Sequence, residues 1–185
     1  MMGAQEHANT AYEWWRRLTA KEGAGLGQRR AALARMRRAA TPIEVMQEPE
    51  VLRLIERLPR RPEDVAILAG ILGFVRESDD RSVARAVGRT RLDDDQSARL
   101  SEGRFRRLLQ AQHGELMEAL RRLVRMTKGK ADVRDLSASV LYWGDGVKKR
   151  WIFDYYAVRQ SLPSDEDAPV TPASTSPEQQ EPANG

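Results

Sequence analysis

Apolar residues recur along most of this chain at steps of three and four, the spacing of one helix face, and almost nowhere alternate one by one as in a half-buried strand. A first helix is predicted from Ala11 to Ala20, carrying Trp14 and Trp15, before Gly23-Ala24-Gly25 breaks the chain. A second runs from Leu26 to Ala39, with Leu26, Leu33, Met36 and Ala40 as its buried stripe. Thr41-Pro42-Ile43-Glu44 then sets a cap, a first-turn proline and a glutamate three residues after the cap, the signature of a helix start. From Pro49 to Leu58 one stripe holds Val51, Leu54, Ile55 and Leu58, and Pro59 and Pro62 end it. The run Glu63 to Val75 is apolar on nearly every side, as a central buried helix would be.

A polar stretch from Arg76 to Arg99 follows, with a short helix expected near Val83 to Val87 and an acidic turn at Asp93-Asp94-Asp95. Beyond it the helical spacing returns. Ser101 caps a helix faced by Phe105, Leu108 and Leu109. Leu116, Leu120, Leu123, Val124 and Thr127 mark the next, which Gly129 closes. Asp132 caps a helix through Leu136, Val140 and Trp143, ended by Gly144. Val147, Trp151, Tyr155 and Val158 mark the last. The expected fold is all-α, a two-lobed helical bundle. A flexible terminus (1–9) leads into an N-terminal lobe (10–90), a C-terminal lobe (91–160) and a disordered tail (161–185) rich in Pro, Ser, Thr and Glu.

Charge sharpens this division. Of 31 Lys+Arg and 27 Asp+Glu in 185 residues, the tail from Ser161 holds five acids (Asp165, Glu166, Asp167, Glu178, Glu181) and no base. Residues 1–160 therefore carry all 31 bases against 22 acids, an excess that leans toward a polyanionic partner. The absence of cysteine excludes disulfides, cysteine–zinc sites and thiol catalysis, and suits a reducing cytoplasm. The opening residues Met1 to His7 show neither a basic nor an apolar leader region, so no signal peptide is expected. The run Val65 to Val75 is shorter than the roughly 20 residues a membrane-spanning helix needs, so no membrane partner is expected.

Catalytic chemistry finds little support. His7 falls on a terminus expected to fray and His113 beside Gly114 in a turn, neither with a metal-binding partner at helical spacing. Asp93-Asp94-Asp95 lacks the glycine and distal glutamate of a calcium loop, and reads as a solvated turn. No glycine-rich phosphate loop is present. The expectation is a non-enzyme with no cofactor and no metal.

The basic residues instead gather in four clusters: Arg29, Arg30, Arg35, Arg37 and Arg38 on the second helix; Arg104, Arg106 and Arg107 around Phe105; Arg121, Arg122 and Arg125, with Lys128 and Lys130 beyond; and Lys148, Lys149 and Arg150 before Trp151. Any one cluster could be a solvated face. Four in one helical body favour phosphate binding, because the arginine fork holds two phosphate oxygens at once and stays charged. Such contacts grip without reading sequence. Trp14, Trp143, Trp151 and Tyr155 lie on apolar stripes and are expected in the core. Trp15, Tyr142 and Tyr156 fall off those stripes, as exposed contacts would.

Three stretches together resemble the CasB family, the small subunit of the type I-E CRISPR Cascade complex. They are Trp14-Trp15-Arg16-Arg17-Leu18 with Gly27 to Arg35; Arg104 to Leu109 followed by Glu115 to Arg125; and Asp135-Leu136 with Trp143 and Trp151 to Tyr156. The resemblance spans roughly residues 10 to 157 and lies in the order of these stretches, no one of which is diagnostic. It implies an all-helical, non-catalytic subunit present in two copies beside the other Cascade subunits, whose basic face holds the displaced and target DNA strands of the R-loop, with guide RNA a further candidate partner. Carried onto this sequence, the nucleic-acid-binding residues would be Arg29, Arg30, Arg35, Arg37, Arg38, Arg104, Arg107, Arg121, Arg122, Arg125, Lys148, Lys149 and Arg150. Two other readings stay open: a helical scaffold or adaptor whose arginines meet acidic proteins, and a stand-alone DNA-binding regulator. The second is weakened by the scarcity of Asn and Gln on the helices.

Overall fold

A computed structural model describes residues 3–158, so the expected disorder of residues 161–185 lies outside the described residues. The chain is all-α. Helices α1 (Ala4–Thr19), α2 (Leu26–Arg38), α3 (Pro42–Met46), α4 (Pro49–Arg57), α5 (Pro62–Leu72) and α6 (Val83–Val87) make up its first half. A 3-10 turn (Asp95–Ser97) leads to α7 (Glu102–Gln110), α8 (His113–Met126), α9 (Val133–Leu141) and α10 (Asp145–Tyr155).

The starts follow from local chemistry. The Thr41 hydroxyl accepts from the Glu44 N–H at 3.2 Å, and the Glu44 carboxylate accepts from the Ala40 N–H at 2.8 Å, so two backbone donors that α3 cannot use are satisfied. Prolines open α3, α4 and α5, where the missing N–H costs nothing. Asp132 caps α9 by accepting from the Asp135 N–H.

Helix α5 is buried all round from Val65 to Leu72 because α3, α4, α8 and α9 surround it. Its closest neighbour is α8. A Cβ at Gly70 would stand 2.8 Å from Met117 Sδ and 2.9 Å from Arg121 Nη2, so only glycine permits this approach. Helix α1 lies along α9 and α10 along α6, and the buried apolar residues of both halves form one core.

Three expectations change. Helix α1 begins at Ala4, within the segment expected to be flexible, because His7 is buried and its Nδ1 lies 2.7 Å from the Tyr142 hydroxyl. Trp15 is buried rather than exposed: its indole N–H donates to Val75 O at 3.2 Å, which makes an off-stripe position an inward one. Ala40, assigned to the buried stripe of α2, is exposed beyond that helix's end.

The spacing predicts no strand, yet two short ones form. β1 (Glu77–Ser78) pairs in parallel with β2 (Lys130–Ala131), Glu77 opposite Lys130. They fasten the segment after α5 to the segment after α8.

Candidate nucleic-acid interface

The thirteen basic residues expected to bind nucleic acid divide sharply by what they touch. Arg121 is a correction. Only 3% exposed, it donates through Nε to Gly70 O (3.0 Å), through Nη1 to Ala39 O (2.7 Å) and through Nη2 to Met36 O (2.9 Å). Those carbonyls end α2 and α5, where a helix leaves its last acceptors unpaired and carries partial negative charge. Burial lowers the pKa of Arg121, and no carboxylate bonds to it. It is a structural rivet, out of reach of a phosphate.

Others are partly engaged. Arg29 donates to Glu22 O and Ala24 O and so holds the turn before α2. Arg35 forms a two-pronged pair with Glu48 at 2.5 and 2.9 Å. Arg150 reaches Asp135 at 3.0 Å and Ser139 at 2.7 Å. Arg122 and Arg125 share Glu118 at 3.2 Å, and Lys149 lies over the Phe153 ring. Lys148 lines a separate cleft with Arg60, Arg61 and Trp143. Arg30, Arg38, Arg104 and Arg107 are exposed and have no ion-pair partner among the described residues.

The cations that converge do so across clusters. At the C-terminal ends of α2, α5 and α8, Arg37, Arg76, Arg125 and Lys128 line a cleft of about 520 Å³ around Phe74 and Gly129. No carboxylate lines it, although Glu118 reaches Arg125 from outside. Arg37 is held there by donating to Gly73 O at 2.5 Å. Arg125 and the buried Arg121 both lie against the Phe74 ring, at 5.1 and 5.3 Å from its centre. Burial, and then the neighbouring charge of Arg76, lowers the Arg37 pKa.

Backbone geometry sets the other two. After α8 the chain turns through Lys128 (φ +59) and Gly129 (φ +84), with the Gly129 N–H on Val124 O at 2.8 Å. Gly129 O then accepts from the N–H groups of Arg76 and Glu77, and a Cβ on Gly129 would stand 3.0 Å from Arg76 Cγ. Arg76 thus rests on the glycine, beside Lys128. Sequence reasoning passed over Arg76 and named Lys128 only at the edge of the third basic cluster, outside the thirteen residues carried forward, because the pairing of β1 with β2 that joins them has no local signal. Membership of that cluster, just before the glycine expected to end a helix, was the available hint for Lys128.

A second groove runs between α7 and α8. Arg104, Arg107 and Arg122 flank a floor of Leu100, Leu108, Ala119, Leu123 and Met126. Among the described residues no group of three or more His, Asp or Glu is placed to hold a metal ion, and no helix is long and apolar enough to cross a membrane.

Residues 32–156 match the family model of the CRISPR-associated protein Cse2. The fold is similar to CasB from Thermus thermophilus, at 23% identity and a TM-score of 0.61, with 85% of this chain covering 99% of that one. It is also similar to a chain of E. coli Cascade bound to a PAM-containing dsDNA target, at 21% identity and a TM-score of 0.59, over 80% of this chain and 94% of that one. None of the curated proteins matches in sequence. With two thirds of its length inside the family match, and with the fold of two such neighbours, the chain belongs to the Cse2 (CasB) family.

Proposed function

We propose that this chain is a non-catalytic small subunit of a type I-E Cascade complex that grips the nucleic-acid backbone and so stabilises the DNA strands of the R-loop. Four cations on one cleft with no lining carboxylate carry the reading. Like charges held this close favour an anion between them, and the array has no means of reading bases. Exchange of a DNA duplex for a guide–target hybrid is nearly balanced, so a modest backbone grip can tip it. The remaining surface is left for other Cascade subunits and a second copy of the chain.

The test is binding of single- and double-stranded DNA over a salt series. Affinity should fall steeply with salt, independently of sequence. The double variant Arg76→Gln, Lys128→Gln should lower the slope of log K against log salt by about 1.5, the loss of two phosphate contacts. In assembled Cascade the same variant should shorten R-loop lifetime at an unchanged melting temperature of the subunit. An unchanged slope and an unchanged lifetime would together refute the proposal.

A further inference from the structure

The groove between α7 and α8 differs from the cationic cleft in having an apolar floor, with Leu108 and Leu123 at its base, beneath the three arginines. Arg104 and Arg107 have no ion-pair partner among the described residues, and Arg122 meets Glu118 only in an exposed pair. The chain itself contains a segment of matching pattern. Leu162-Pro163-Ser164-Asp165-Glu166-Asp167-Ala168-Pro169-Val170 sets three consecutive carboxylates between two apolar residues, Leu162 three positions before them and Val170 three after. Its three acids match the groove's three arginines in number and opposite charge, and its flanking apolar residues match the floor in character.

The tether is close. Tyr155, at the end of α10, stacks on Phe105 of α7 with ring centres 4.0 Å apart, and its hydroxyl donates to the carbonyl of Leu100, which lines the groove. Asp165 lies seven positions along the chain from Val158, the last residue described, and seven extended steps reach about 23–25 Å. That reach exceeds a helix diameter of about 10 Å. The segment also lies beyond the family match, which ends at residue 156.

We propose that the acidic segment 161–170 of this chain docks in cis in the α7–α8 groove, with Asp165, Glu166 and Asp167 against Arg104, Arg107 and Arg122, and competes there with nucleic-acid phosphate. The competition, though not the docking, rests on the function proposed above. Exposed ion pairs are individually weak, but the tether supplies a high local concentration. The segment therefore holds the groove at rest and yields to a polyanion that offers many phosphates at once.

Two measurements on the full chain separate these parts. Methyl resonances of Leu108, Leu123 and Met126, recorded without DNA, should differ between the natural chain and the variant Asp165→Asn, Glu166→Gln, Asp167→Asn at about 50 mM salt, and converge at about 1 M. Identical spectra at low salt overturn the docking. So do groove shifts that depend on protein concentration but not on the acids, which would assign the groove to a second copy. In DNA binding at low salt the acid-neutralised variant should bind up to about tenfold more tightly, the range three exposed pairs can supply. That gain should vanish when Arg104→Gln, Arg107→Gln and Arg122→Gln are added. Acid-dependent methyl shifts with no DNA binding by either chain would support the docking and reject the phosphate grip instead.

Discussion

At the scale of single residues, arginine serves two unlike ends here. Arg121, Arg37 and Arg60 each cross from one helix or loop to the terminal carbonyls of another: Arg121 to α2 and α5, Arg37 to Gly73 after α5, and Arg60 to Leu141 at the end of α9. Replacing Arg121 with Met should leave three buried acceptors unpaired. Each lost buried bond costs about 1–3 kcal/mol, so a destabilisation of roughly 3 kcal/mol or more is expected in urea unfolding. A variant as stable as the natural chain would show that water takes over those carbonyls. Asp135 offers a pH test. Burial raises its pKa, Arg150 only partly opposes this, and its Oδ2 is buried without a partner. Above the folded pKa the carboxylate is ionised in both states, and the fold bears the desolvation. As pH falls through that pKa the folded state protonates first, and the penalty disappears. Asp135→Asn should therefore melt no lower than the natural chain at pH 7, and any advantage should shrink on acidification. A clear loss at pH 7 would mean that the Arg150 pair outweighs burial.

Among elements, the cationic cleft depends on how α8 stops. Lys128 occupies a left-handed conformation that costs an ordinary residue about 1–2 kcal/mol, more than glycine's entropic penalty. Lys128→Gly should thus hold or slightly raise the melting temperature while weakening DNA binding. A variant that loses both would make the lysine a structural part of the turn. The same segment shows where sequence reading succeeds and fails. Helix α5 was legible because an apolar run with no polar face has to be central, and α3 because Thr41, Pro42 and Glu44 act within four residues. The role of Arg121 was not legible: its neighbours Leu120, Leu123 and Val124 already accounted for the buried stripe of α8, and the three carbonyls it meets lie 51 to 85 residues away. Arg76 was overlooked for the same reason, as its place is set by Gly129. The cations of the cleft come from separate helix ends, whereas the basic clusters read from the sequence are contiguous in it.

In the whole molecule, α1 against α9, α5 against α8 and β1 beside β2 tie the first half of the chain to the second through one core. Heating should therefore give a single transition, with tryptophan fluorescence and far-ultraviolet dichroism coinciding. Two separated transitions would reveal halves that fold independently. The pairing of Glu77 with Lys130 also has a consequence in time. It closes a loop of more than fifty residues for the sake of two short strands, and contacts of that span form late, after the local helices. The cleft that rests on it therefore forms only after the local helices: a newly made chain has α2, α5 and α8 before Arg76 and Lys128 come side by side, and the grip proposed for that cleft would be absent until then.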